Sequence, residues 1–150
     1  MRPLTVDERE RFLAEPRVAV LSVASDDDRP PLTVPVWYAY RPGGTIAILT
    51  GTQGRRARKT RLLEKAGVLS LNVQRAEFPY RYVTVEGTLL RADPAPEAAE
   101  IEEITRRYLP PESARGLADA EVAQRSDTFV LFTVRPDRWI AFDFSDDQPS

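Results

Sequence analysis

The sequence predicts a mainly β fold with peripheral helices (α+β), a small antiparallel barrel of about six to seven strands. Two observations lead there. Short β-branched and aromatic stretches recur through the middle of the chain, separated by connections rich in Pro, Gly and Asp that suit antiparallel neighbours. Helical patterns stand mostly at the margins. The 150 residues suit one compact domain, residues 1–150, and no internal repeat or long linker divides them.

Thr5-Val6-Asp7-Glu8 has the form of a capping box, so a short helix runs to about Glu15 and stops at Pro16. Phe12 and Leu13 give it an apolar side. Val18 to Ala24 (VAVLSVA) is a strand, and Asp26-Asp27-Asp28-Arg29-Pro30 is turn chemistry. Leu32 to Tyr40 (LTVPVWYAY) is the next strand; Pro35 within it has no N–H to donate, which places it at an edge, at a bulge, or where the backbone faces something other than a strand. Arg41-Pro42-Gly43-Gly44 turns the chain back into Thr45 to Thr50 (TIAILT). A basic helix follows, then strands Val68 to Gln74 and Tyr80 to Leu90, the latter alternating Tyr82, Thr84 and Glu86 with Val83 and Val85. Asp93 reads as the cap of a helix whose first turn holds Pro94 and whose stripe is Ala98, Ile101, Ile104, Tyr108 and Leu109, ending at Pro110-Pro111. A helical piece spans about Leu117 to Gln124. Two strands, Thr128 to Val134 and Arg138 to Phe144, flank a turn at Arg135-Pro136-Asp137, and an acidic tail over 145–150 is expected to be mobile.

Composition excludes several chemistries. The chain has no cysteine and no histidine, which removes disulfides, thiolate metal sites, the commonest metal ligand and any Ser-His-Asp triad. No metal site is expected. A net charge of −2 argues against a general nucleic-acid or membrane-surface binder, so any basic function is local. No apolar run approaches the roughly 18 residues that span a bilayer, and MRPLTVDERE lacks the apolar core of a leader, so the expected location is cytoplasmic.

The basic function is concentrated at TGTQGRRARKTRLLEKAG, where five of the seven residues from Arg55 to Arg61 are cationic. Leu62, Leu63 and Ala66 supply the apolar contacts of a helix beginning near Arg55, so Arg55, Arg56, Arg58 and Lys59 fall in or near its first turn. A helix N-terminus is already positive, and each exposed cation added there costs on the order of half a kcal/mol. An anion reverses the sign. A phosphate would accept backbone N–H groups from the turn Gly51 to Gly54, hydroxyl bonds from Thr50 or Thr52, and charge-assisted bonds from the cations. The alternative is a solvated face paired with acidic residues such as Glu64. The preceding strand and turn favour phosphate, although the glycine spacing is not that of a P-loop.

The order VPVWYAY, TIAILT, GRRARKTRLLEKAGVLSLNV and YRYVTVEG resembles the pyridoxamine 5′-phosphate oxidase-like family of flavin and deazaflavin split barrels. The resemblance runs over roughly Val18 to Leu90, and its most specific element is ARKTRLL followed by VTVEG. It implies a split β-barrel of the FMN-binding type, a homodimer with cofactor in the groove between chains, and F-420 or FMN as that cofactor. It further implies that Thr50, Thr52, Arg55, Arg58 and Lys59 hold the phosphate while Pro35, Val36, Trp37 and Leu49 lie along the ring system. Tyr82 and Trp139, the latter from the partner chain, are weaker carry-overs. Read from the residues alone, both tryptophans are packing residues of core or interface, the strand tyrosines belong to surface or interface, and Glu86 is a barrel-face carboxylate.

A flavin-type ring moves hydride itself, so a chain without histidine or cysteine loses little for such chemistry. The implied activity is an F-420- or FMN-dependent oxidoreductase acting on an unidentified small substrate, with no catalytic residue assigned. A true pyridoxamine 5′-phosphate oxidase is not implied, because the ending FDFSDDQPS lacks the arginine and histidine that grip that substrate. KTRLL and VTVEG look more like the deazaflavin-using branch. The alternatives are a flavin-binding or sequestering protein without turnover and, more remotely, a nucleic-acid binder using the basic helix. Against the last stand the acidic charge balance and the absence of aromatics within RRARKTR.

Overall fold

The computed structural model of the chain describes residues 1–51, 58–124 and 128–147. A two-residue strand β1 (Arg2–Pro3) precedes α1 (Val6–Ala14), β2 (Ala19–Val23), β3 (Leu32–Tyr40) and β4 (Ile46–Gly51). Then come α2 (Arg58–Ala66), β5 (Val68–Arg75), β6 (Arg81–Asp93), α3 (Ala98–Thr105), α4 (Pro111–Gln124) and β7 (Phe129–Asp143). The sheet order is β1-β7-β4-β3-β2-β5-β6, and a further β7–β6 pairing closes six strands into an antiparallel barrel with β1 as an extra strand on β7. Closure pairs each of the six strands with a neighbour on both sides over part of its length, leaving short open edges at the start of β3 and the middle of β7 among the described residues.

Strand alternation fills the barrel. Leu21, Val36, Tyr38, Ile48, Leu71, Val83, Val85, Phe132 and Val134 form one buried cluster with Phe12 and Leu13 of α1 and Leu62 and Leu63 of α2. A second cluster lies on the other face of β3, β4 and β7, where Ile101, Ile104 and Ala118 of α3 and α4 cover Leu49 and Leu131. The capping box at Thr5 forms as predicted, with the Glu8 N–H donating to the Thr5 hydroxyl at 3.2 Å and the Thr5 N–H to the Glu8 carboxylate at 3.2 Å. At the other end of α1, side chains from distant segments satisfy the free carbonyls. Tyr38 donates to the Leu13 carbonyl at 3.0 Å, Arg107 to those of Leu13 and Glu15, and Arg17 to that of Phe12 at 2.8 Å. Burial pushes the Tyr38 phenol up to about 12, so it remains a donor.

Three expectations are corrected. The first concerns β7, which is one strand through Arg135, Pro136 and Asp137 where a turn between two strands was expected. Pro136 stands opposite Gly87 of β6, in a stretch between the β4 pairing that ends at Val134 and the β1 pairing that begins at Phe142. The edge toward which its missing N–H would point has no strand among the described residues, so the ladder continues past it. The β6–β7 register shifts twice, between Glu86 and Gly87, where Asp137 of β7 is the extra residue, and between Leu89 and Arg91, where Leu90 of β6 is. Pro35 is accommodated in the same way: residues Leu32 to Val36 pair with β2, and pairing with β4 starts only at Trp37.

Asp93 is the second correction. It ends β6 opposite Leu131 instead of capping a helix, because pairing with β7 runs on to it; its carboxylate accepts the Ala95 N–H at 2.9 Å in a local turn. Helix α3 starts later, with Glu97 as N-cap and its N–H donating to the Glu100 carboxylate at 3.1 Å. It also ends earlier, at Thr105, so Tyr108 and Leu109 lie beyond it. Third, Pro111 both follows that segment and opens α4, which is therefore longer than the expected piece from Leu117. Beyond β7, Ser145 to Asp147 form a turn closed by the Asp147 N–H on the Phe144 carbonyl at 3.0 Å, and 148–150 lie outside the described residues.

A charge network joins the barrel's outer strands to α1. The Asp143 side chain, 1% exposed, pairs with Arg81 at 2.8 Å and Arg2 at 3.1 Å, and Arg2 also pairs with Glu8 at 2.8 Å. Burial opposes the Asp143 charge, but bonds from the Ser145 N–H and hydroxyl and the Arg81 charge outweigh it and hold the carboxyl below its ordinary 3.8. The Arg2 hydrogen bonds lower Glu8 to about 2 from an ordinary 4.5. The unfolded chain therefore binds these protons at a higher pH than the folded one, and stability falls as pH drops below about 5 toward 2. Urea unfolding between pH 6 and pH 2.5 should show a declining midpoint, with a shallower decline in Asp143→Asn. A midpoint flat across that range would contradict the network.

Candidate functional site

Helix α2 is built to hold a fixed place while exposing its start. Leu62 and Leu63 are 1% and 0% exposed in the barrel core, and Gly67, at φ +72°, ends the helix with its N–H on the Leu63 carbonyl at 2.8 Å. The first turn carries no acidic residue. Two of its cations point into structured contacts. The Lys59 ammonium donates to the Thr50 hydroxyl at 2.8 Å and to the Gly51 carbonyl at 2.8 Å, at the end of β4 where Thr50 is 7% exposed. Burial pulls the Lys59 ammonium below its ordinary value, and among the described residues it contacts no carboxylate. Arg58 donates to the Ser25 hydroxyl at 2.9 Å.

The charge arrangement thus combines both sequence readings. On the side facing β4 is a half-buried ammonium whose acceptors among the described residues are neutral, the state an anion would improve. On the side facing the loop after β2 is a paired face: Asp26 forms ion pairs with Arg61 and, at 3.8 Å, with Lys65. From sequence, Asp26 to Asp28 read as turn chemistry and Glu64 as the acidic partner, whereas in the fold the partner is Asp26 of that loop. The run SDDD was the only signal of that pairing, and its placement beside α2 depends on tertiary structure.

Of the residues expected to hold phosphate, Lys59 meets Thr50, while Arg58, one residue before it, turns to Ser25 in the loop after β2; Thr52 and Arg55 lie outside the described residues. The residues expected along a ring system fall in different places. Pro35 is exposed on β3, where it registers with Val20. The Val36 side chain is in the barrel core at 3% exposure, which leaves its backbone for any ligand. Trp37 and Leu49 are register partners beneath α3 and α4, with Trp37 stacked on Tyr108 at 4.7 Å between centroids and 8° between planes. Tyr82 packs against Phe142 and Phe144. Trp139 meets the edge of Tyr40 at 5.4 Å and lies under the Arg9 guanidinium at 4.3 Å, which fits the packing role read from the residues alone. Glu86 is exposed on the barrel face. Among the described residues no group of three acidic side chains is placed to hold a metal ion, and no helix is long and apolar enough to cross a membrane.

Comparison with known proteins bears on the whole domain. A solved structure described as an F420 reductase superposes with TM-score 0.65 at 22% identity, covering 87% of this chain and 94% of that one. A conserved hypothetical protein from Mycobacterium tuberculosis superposes with TM-score 0.72 at 18% identity over 98% of this chain and 90% of that one. An FAD-binding protein from Mesorhizobium loti gives TM-score 0.58 at 18% identity over 93% of each chain. At such identities these likenesses show the shared fold. No curated protein sequence matched. The family model described as pyridoxamine 5′-phosphate oxidase matches residues 5–138, from the Thr5 cap through most of the barrel and its helices, and the chain therefore belongs to the pyridoxamine 5′-phosphate oxidase-like family.

Proposed function

We propose that this chain is a cytoplasmic, homodimeric oxidoreductase that binds F-420 or FMN by its phosphate at the start of α2 and exchanges hydride with a small, conjugated substrate. The observation that carries the reading is the Lys59 ammonium, half-buried beside Thr50 and the Gly51 carbonyl with no carboxylate in contact among the described residues. A phosphate there restores the solvation that burial removed, and Arg58 on the preceding residue adds a guanidinium suited to two phosphate oxygens. Family membership and relatives described as an F420 reductase and an FAD-binding protein support a flavin-type ligand.

A bound flavin or deazaflavin ring supplies the hydride chemistry. The protein's share is binding and orientation. Leu62 and Leu63 anchor α2 in the core, which fixes Arg58 and Lys59 relative to the end of β4, and the Thr50 hydroxyl orients the ammonium. Exposed Pro35 and the backbone around Val36 offer a strand edge with no partner strand among the described residues, a surface suited to a flat ring.

The test is a titration of purified, cofactor-free protein with FMN and separately with F-420, following fluorescence quenching and anisotropy. Binding of one in the micromolar range or tighter identifies the cofactor and fixes the reagent for a substrate screen. Binding of neither overturns the reading.

A further inference from the structure

The cations of α2 face two neighbours. Lys59 turns toward Thr50 and Gly51, whereas Arg58, Arg61 and Lys65, spaced three and four residues apart, share the face toward the loop after β2. Asp26 of that loop is 17% exposed, while Arg61 and Lys65, the two cations it pairs with, are 55% and 64% exposed. Its neighbours hold the loop in place. Arg58 donates to the Ser25 hydroxyl at 2.9 Å, Ser25 donates to the Asp27 carboxylate at 2.6 Å, and the Arg29 N–H donates to the same oxygen at 2.9 Å. One positioned carboxylate therefore offsets two cations on the helix that also carries Arg58 and Lys59.

Resting on the phosphate site assigned to that helix, we propose that Asp26 is a specificity determinant that limits the ligand to a single phosphate. Residues three apart on a helix are about 5–6 Å apart at the surface, so an uncompensated Arg61 would extend the cationic grip of Arg58 by the reach of a second phosphoryl group. Asp26 occupies that continuation. A monophosphate bridging Arg58 and Lys59 at the start of the helix ends before it, whereas a diphosphate continuing from Arg58 along the face of Arg61 brings its additional charge toward the Asp26 carboxylate. Discrimination comes from a repulsive element set beside the attractive one. Surface ion pairs contribute little to stability, so Asp26→Asn, which keeps the side chain's size, should fold normally.

The experiment titrates the full chain and its Asp26→Asn variant with FMN, inorganic phosphate and pyrophosphate by calorimetry. Glu103→Gln, which makes the same charge change on α3, is the control, and thermal unfolding checks each variant. Asp26→Ser repeats the test if Asp26→Asn unfolds early. The expected result is pyrophosphate binding strengthened about fivefold in the Asp26 variant, with FMN and phosphate changed less than about twofold and Glu103→Gln changing neither. FMN bound by the unaltered chain with no gain for pyrophosphate in the variant overturns the role of Asp26 and leaves the phosphate site standing. An equal gain for all three ligands also overturns it, because a general field effect is not selection. If no phosphate-bearing ligand binds either protein, both the selector and the phosphate site are lost.

Discussion

Gly87→Val should unfold at a markedly lower urea concentration than the unaltered chain, with a loss of about 3 kcal/mol. A Cβ at position 87 would sit 2.5 Å from Val134 Cγ1 and 2.9 Å from the Arg135 carbonyl oxygen. The first contact is with a side chain, which can yield. The second is with backbone in the strand that closes the barrel, at the point where β6 shifts register and Pro136 stands opposite. Gly87→Ala should therefore cost nearly as much as the valine, since the Cβ itself makes the clash. Val134→Ala in the Gly87→Ala background should restore part of the loss and leave the part due to the carbonyl, a non-additivity that a double-mutant cycle reads directly. An unfolding midpoint within error of the unaltered chain would show that β6 and β7 can separate here, contrary to the packing described.

The double substitution Arg58→Ala with Lys59→Ala should raise the Kd for FMN or F-420 about 100-fold while leaving the barrel folded. Each side chain offers a charge-assisted hydrogen bond of about 1.5–3 kcal/mol to a phosphate, and the proposed site loses both. Stability is expected to change little. Burial already disfavours the Lys59 charge, and the Arg58 contact is one bond to a hydroxyl. Lys65→Ala, which removes one cation from the last turn of α2, is the control for position and should leave affinity within about threefold. Unchanged affinity in the double variant would remove the phosphate from the start of α2 even if the cofactor still bound elsewhere.

The parts of the fold legible in the sequence are those with local causes. Thr5 and Glu8 define a cap by themselves, and alternation in VTVEG or VAVLSV assigns strand faces without reference to any neighbour. Errors arose where a distant partner overrides the local signal. Arg135-Pro136-Asp137 has the composition of a turn, yet pairing with Gly87 and its neighbours keeps it in a strand, and Asp93 stays in β6 for the same reason. At the candidate site, the excess positive charge at the start of α2 was visible because it opposes the helix dipole. Asp26 was not visible as its counter-charge, because it lies 35 residues from Arg61 in sequence. Trp37 could not be assigned from sequence to its stack on Tyr108, which exists only once α3 and α4 cover β3.

The closing strand carries one more consequence, for the order of events during synthesis. Of the described strands β7 is made last, and it pairs with both β4 and β6, along most of its length on the latter. Until it emerges from the ribosome the nascent chain holds five strands in an open ribbon with β4 and β6 at its two free edges, each offering unpaired N–H and C=O groups. Most of the chain must therefore wait for a contact of high sequence separation, a topology that folds slowly and exposes aggregation-prone edges meanwhile. A product truncated before Phe129 would keep that ribbon permanently open, so it is expected to be insoluble and not a smaller soluble barrel.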